Sequence, residues 1–387
     1  MIIAQLIFWI SLGLLIYSYL LYPQLLNLLA GSKKSNSIVY SYEELPNVSI
    51  LIAAHNEELV ISEKIESIYS GNYPVDKIEV FVGSDASTDK TNEIIEELSK
   101  EYKTLHLEAF LERTGKVKII NKLTELSNHP ILVITDANVM FAENTLQELL
   151  KHFANKEIAL VDSHMMHKGT GKPGAAVAES FYVRQEVIAK HKEGVLWGSM
   201  MGPFGGCYAL RKDYYHNVPG SFLVDDFYIN MRVLEKGGKA ISEMNAMVYE
   251  DVSHKPKVEF KRKVRIATGS FQNFFAFFFL LFRPGKISFC FFSHKAIRWF
   301  GPVLFLAIFI SSFAVAYQIP FYAYVFWGEI FLLFLIPIDY LMYKIGVHFR
   351  IMHIVRYFFF TNLAVFIGMF KAIGGGSTGV WEPTKRQ

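Results

Sequence analysis

The sequence predicts an α/β domain with a largely parallel sheet, carried between helices that cross a lipid bilayer. Three observations predict it. From residue 46 to about 260, short apolar runs alternate with amphipathic helical stretches, the pattern of strands joined by crossover helices. Residues 2–29 are apolar and uncharged, enough to cross ~30 Å of hydrocarbon. Of the 34 Phe residues, 24 follow residue 270, which puts most of the excess hydrophobicity in the C-terminal third.

Taken in order, the first run is followed by Lys33 and Lys34, and positive charge after a span marks the cytoplasmic side. The length of the run, the lack of a basic start and the lack of a small-residue cleavage site favour a retained anchor over a cleaved signal peptide. Residues 48–53, 78–83, 104–108 and 131–135 read as buried strands. Residues 58–70, 91–102, 115–126 and 145–153 read as the helices between them. Residues 271–292 are apolar but broken by Arg283, Pro284 and Gly285, the pattern of a helix pair lying in the membrane interface. Three further spans are expected near 297–316, 321–343 and 352–370, four in all. Four crossings leave both chain ends outside, yet Lys371, Lys385 and Arg386 bias the tail inward. Trp381 reads as an interfacial anchor.

Composition narrows the function classes. Apolar residues make up 52% and charged residues 19% of the chain, against ~25% charged in an average soluble protein. A disordered chain is excluded. The net charge of +3 is too balanced for a nucleic-acid binder. Cys207 and Cys290 cannot build a disulfide framework, and no Cys/His cluster has zinc spacing; His164 and His167 lack supporting ligands. Few charges interrupt the spans, which disfavours a transporter.

The chemistry-bearing residues fall at the ends of apolar runs, where ligands of parallel sheets bind. Residues 48–58, VSILIAAHNEE, end a strand in His55, Asn56, Glu57 and Glu58; Asn56 suits either a helix cap or a ligand contact. Residues 83–91, GSDASTDKT, place Asp85 at a strand end, where it can accept hydrogen bonds from a base or ribose, and Asp89 before a helix. Order and spacing of these two elements resemble family 2 glycosyltransferases of the GT-A fold, which include membrane-embedded cellulose, chitin and hyaluronan synthases. The resemblance runs from about residue 46 to 269. It implies that Asn56, Glu57 and Asp85 border a uridine pocket.

Further motifs follow in the same order. RTGKVKIIN, residues 113–121, sets Arg113 and Lys116 beside a glycine at a helix start, which suits either a solvated basic turn or a site for an anionic diphosphate; similar family runs add weight to Lys116 and Asn121. TDANVMF, residues 135–141, delivers Asp136 and Asn138 to one side of a strand. It looks like the family's D-x-D motif, which implies a divalent cation, Mg2+ or Mn2+, on hard oxygen ligands; Asn138 replaces the second Asp and lowers the charge. Gly205, Gly206 and Cys207 precede a short strand and suit either a plain turn or a close approach of sugar or acceptor to the backbone. Asp225 and Asp226 sit side by side at a helix start, which suits either helix capping or, because like charges raise one pKa, a general base. With Ile229 and Arg232 they match the family pattern, which assigns Asp226 as base and Asp225 as its partner. Arg262 and Arg265 stand three apart on one helix and suit either a departing diphosphate or anionic lipid headgroups. The Q-x-x-R-W motif of processive members is absent there.

The expectation is a multi-pass enzyme of the cell membrane with a cytoplasmic catalytic domain. It would be an inverting glycosyltransferase taking sugar from a UDP-sugar to a lipid-linked or growing glycan acceptor. A processive polysaccharide synthase and an inactive nucleotide-sugar-binding scaffold are the alternatives.

Overall fold

The computed structural model describes residues 1–31, 33, 45–168, 175–251, 256–347 and 349–375. Lys34, Lys255, Trp381, Lys385 and Arg386 lie outside them. The chain divides into two compact units, one of Met1–Leu29, Thr170–Ala189 and Lys255–Gly375, the other of Ala30–Gly169, Lys190–His254 and Gly376–Gln387.

The second unit is built on an eight-stranded sheet: β1 Val48–Ala54, β2 Ile78–Asp85, β3 Leu105–Phe110, β4 Ile131–Asp136, β5 Val139–Phe141, β6 Ile158–Lys168, β7 Cys207–Arg211 and β8 Lys239–Asp251. Their order is β3-β2-β1-β4-β7-β6-β8-β5. β3, β2, β1 and β4 run parallel; β7 is antiparallel to both its neighbours; β6 and β8 are parallel. β1 and β2 are buried along their whole length, which is why they read as continuous apolar runs and not as alternations. The helix Ile61–Tyr69 covers the sheet with Ile61, Ile65 and Ile68. Gly83 lets the helix Lys116–Leu126 press close, since a Cβ there would stand 2.2 Å from the Ile119 side chain. Burial of each such Ile contributes about 1.5–3 kcal/mol.

The first unit is helical. A helix from Ile2 to Ala30 passes through a π-helical stretch at Tyr17–Leu21. Phe8 and Leu15 pack with Ile308, Val315 and Tyr322, and the Trp9 indole donates to Tyr322 Oη at 3.0 Å. A second π-helical stretch, Phe291–Ala296, is tied to the first by the Ser18 hydroxyl donating to the Ser293 carbonyl at 2.7 Å. Glu186 binds His294 at 2.8 Å and Arg298 at 2.9 Å, and also pairs with Lys295.

Among the described residues, four helices are long and apolar enough to cross a membrane: Ile2–Ala30, Val258–Phe282, Pro320–Lys344 and Ile351–Ile373. Lys286–Trp299 and Gly301–Ala316, bent by 60° at their break, make a fifth if they act as one span. Residues 271–277 complete a long helix begun at Pro256, a 3-10 turn follows to Phe282, and a new helix starts at Lys286, so the break at Arg283, Pro284 and Gly285 separates two helices. The expected span at 297–316 starts at Gly301, where Pro302 opens the first turn, a position that needs no N–H.

Candidate active site

Parallel registration lines up the strand ends. Ala53 of β1 pairs with Gly83 of β2 and with Asp136 of β4, so the polar residues after these positions share one edge of the sheet. Asp85, fully buried, ends β2. It accepts the Thr114 N–H at 2.5 Å, the Gly115 N–H at 3.2 Å and the Arg113 Nε–H at 3.1 Å. Arg113 Nη1 also donates to His55 Nε2 at 2.7 Å. Guanidinium can only donate, so Nε2 is an acceptor and the imidazole proton sits on Nδ1, where it meets the Asp85 carbonyl at 2.7 Å. Asn56 adopts a left-handed φ of 53°, which Asn tolerates, and does not cap the following helix, whose N-cap is Val60. Its Oδ1 accepts the Thr88 N–H at 2.8 Å, and the Glu57 N–H donates to Thr91 Oγ1 at 2.8 Å. The two polar strand ends are thus laced together.

The turn held by Asp85 delivers Lys116 as the first residue of its helix, after Gly115 at φ 87°. Lys116 Nζ lies 2.6 Å from Asp136 Oδ1. Burial alone would favour the neutral amine, but Asp136, Asp225 and Asp226 outweigh it and hold the ammonium above the usual lysine range. The Lys116 ammonium thus pairs with Asp136 and is also favoured by the charges of Asp225 and Asp226. Asp136 is anchored through its N–H to the Gly206 carbonyl at 3.0 Å. Beneath it, the wholly buried Lys64 donates to Thr135 Oγ1 at 3.0 Å and to the Val139 carbonyl, over the Phe141 ring at 3.7 Å. Burial lowers its pKa to about 7. Asn138, in the turn between β4 and β5, donates its Nδ2 to Glu250 Oε1 at 3.1 Å.

Asp225 and Asp226 open the helix Asp225–Glu235. Burial and then the charge of Asp225 push the Asp226 carboxyl up to about 7, against Lys116, the Phe227 N–H and Lys190. Asp225 is buried, and its Oδ2 finds no hydrogen-bond partner among the described residues. Tyr208 Oη is likewise buried without one; burial, then Asp225 and Asp226, raise its pKa well above the phenol range. Gly205, at φ 92°, passes so close that a Cβ would stand 2.5 Å from Asp226 Oδ2. The loop is fixed by its neighbours: Phe204 N–H to Asp162 at 3.0 Å, Met201 N–H to Glu193 at 3.1 Å, and Asn230 Nδ2 to the Met200 carbonyl at 2.9 Å. Burial raises Asp162 to about 6, and Lys190, 3.7 Å away, restrains the shift.

Within this unit, the side chains of Cys207 and Asn121 have other partners or surroundings. The Cys207 side chain is buried inside the sheet, so only its backbone is left to meet a ligand. Asn121 is spent on the chain near Val218, donating to its carbonyl at 2.9 Å and accepting Tyr215 Oη at 2.6 Å. Arg262 and Arg265 belong to the helical unit, where Arg262 pairs with Glu259 at 2.9 Å. His164 binds the Met244 carbonyl at 3.0 Å. Sequence reading passed over Lys64, Asp162, Tyr208 and Glu250. A lysine beside the Ile61, Ile65, Ile68 stripe and an aspartate in the apolar run 158–163 were the available signals.

Residues 49–218 match glycosyl transferase family 2. The chain is 26% identical over 314 residues to the probable glycosyltransferase YdaM of Bacillus subtilis, covering 76% of this chain and 73% of that protein. It is 36% identical over 119 residues to the beta-monoglucosyldiacylglycerol synthase of Nostoc sp., covering 30% of this chain and a quarter (25%) of that relative. A mannosyltransferase from Pyrobaculum calidifontis, solved in complex with GDP-Man and Mn2+, has the same fold, with a TM-score of 0.69 over 95% of this chain and 99% of that one at 20% identity. Residues 49–218 are thus a glycosyl transferase family 2 domain of the GT-A fold, and the chain that carries it is a glycosyltransferase.

Proposed function

We propose that the chain is an inverting glycosyltransferase that moves a sugar from a UDP-sugar to a lipid-linked or growing glycan acceptor at the cell membrane. The observation that carries this reading is Asp226: a carboxyl raised to about 7 beside Asp225, closed over by the Gly205 backbone. A base whose pKa lies near the working pH is best matched to its task. As the acceptor oxygen attacks the anomeric carbon, Asp226 takes the hydroxyl proton, and the bond from that carbon to the diphosphate oxygen breaks. One displacement inverts the anomeric centre. Gly205 and Gly206 offer backbone to the acceptor. Asn56 and Glu57 would border the uridine, and Asp85 would act through the turn it holds.

The residues at the diphosphate position suit a hard divalent cation. Asp136 is partly open to solvent, already faces the Lys116 ammonium on one oxygen, and has the Asn138 amide two residues on. Asp136 and Asn138 would hold Mg2+ or Mn2+, which when bound neutralises charge on the leaving nucleoside diphosphate. Lys116 would turn its ammonium to the same phosphates. The apolar helices and the name of the Nostoc relative support a lipid acceptor. Lys33 after the first span supports a cytoplasmic catalytic domain, and five crossings would put the basic tail on that same side.

The test is product mass spectrometry on purified protein given membrane lipids and a panel of nucleotide sugars, GDP-Man included. A lipid gaining one hexose or N-acetylhexosamine from a UDP-sugar is expected. Transfer from GDP-Man alone would reject the donor, and a polymer would reject single transfer.

A further inference from the structure

We infer that Glu250 is a positioning residue for the cation site: by taking the amino end of the Asn138 amide, it fixes the carbonyl end as the one presented to the metal. The inference rests on the reading of Asp136 and Asn138 as ligands given above. A carboxylate is symmetric, so an Asp in this place can ligate through either oxygen. An amide is not. Its Oδ1 can bind a cation, whereas its NH2 only donates and repels one. Asn138 therefore contributes only if the amide is held the right way round.

Left alone, the amide has a competing preference. Asp136, two residues earlier, is a carboxylate on the same turn, and an amino group next to it would be drawn to its charge and close the site against a cation. Glu250 offers a rival carboxylate from another strand. It stands on β8 directly across from Val139, the residue after Asn138, and its Oε1 accepts Asn138 Nδ2 at 3.1 Å. The two arms of a planar amide diverge, so Oδ1 points away from Glu250. The turn is fixed on both flanks, by the Asp136 N–H on the Gly206 carbonyl and by Lys64 on the Val139 carbonyl. Orientation of the amide is thus the freedom left for Glu250 to set. Hydrogen-bond partners of metal ligands that fix orientation in this way typically matter 10–100-fold in affinity.

The experiment titrates Mn2+ into the full-length detergent-solubilised protein with UDP present and no sugar donor, reading bound metal by electron paramagnetic resonance so that turnover plays no part. Glu250→Met should weaken Mn2+ binding by about 10–100-fold. Glu250→Gln keeps a neutral acceptor for the amide and should lose much less. In an Asn138→Asp background, where either oxygen ligates, Glu250→Met should cause no loss; that pair also shows that the Met variant folds. Equal losses for Gln and Met, equal loss from Glu250→Met in both backgrounds, or no loss in the native background would each overturn the inference. Failure of the cation reading itself looks different: native protein that binds no Mn2+ with UDP, or an Asp136→Ala variant that binds it unchanged.

Discussion

Two aspartates of the catalytic unit, Asp85 and Asp226, are treated in opposite ways. Asp85 has three protein donors on its carboxylate. Asp226 receives the Phe227 N–H at 2.8 Å and has a like charge beside it, and its pKa rises to about 7 where burial and Asp225 dominate. A satisfied carboxylate is an anchor, because its energy is already spent on fixed partners. An under-satisfied one next to a like charge is reactive, because binding a proton relieves it. On the proposed mechanism, the same residue type at similar strand or helix ends would serve architecture in one place and chemistry in the other.

Removing the reactive partner gives the largest expected effect. Asp226→Asn should lower turnover by about 10²–10⁴-fold, the usual contribution of a general base, with donor affinity retained in a nucleotide-binding assay. It should not destabilise the domain. The folded-state value, about 7, lies above the ordinary 3.8, so the native state holds an extra proton between these values and stability falls as pH rises through that window. Asp226→Asn removes this loss and should raise Tm at pH 8 relative to the native protein. Asp85→Ala should do the reverse. Breaking a buried pair costs about 3–5 kcal/mol, so a large drop in Tm is expected together with weakened donor binding. If Asp85→Ala leaves Tm unchanged, the contrast between anchor and base breaks.

Smaller changes sharpen the comparison. Gly205→Ala puts a methyl against the base at a φ of 92°; a displaced base should cost about 10²-fold in kcat/KM, with Tm lowered only slightly. Lys64→Met has the smallest effect. The folded-state pKa of about 7 lies below the ordinary 10.5, so stability rises with pH between these values in the native protein. That slope should flatten in the variant, as followed by thermal melts between pH 7 and 10.

The sequence made β1, β2 and β4 legible because they are buried, nearly uninterrupted apolar runs. Asp85 and Asp136 were visible because they end such runs, and Lys116, Asp225 and Asp226 because they open helices. What their side chains touch was not. Asn121 follows a glycine-lysine pair at family spacing, yet its partners, Tyr215 and Val218, lie over ninety residues on. Lys64 looks like a helix-surface lysine until the β4–β5 turn is laid over it. Glu250 reaches Asn138 only because β8 returns beside β5. The helix carrying Arg262 and Arg265 was legible, but its run on to Phe277 was not, because charges at 259–265 precede its apolar half.

The account centres on Asp226 as a base tuned by its neighbour, and the pH–rate profile tests it most directly. In the native protein kcat/KM should fall tenfold per pH unit below about 7, and Asp225→Asn, which removes the like charge, should move that acid limb to lower pH. An acid limb that stays in place when Asp225 is neutralised, or a profile flat from pH 5 to 8, would contradict it.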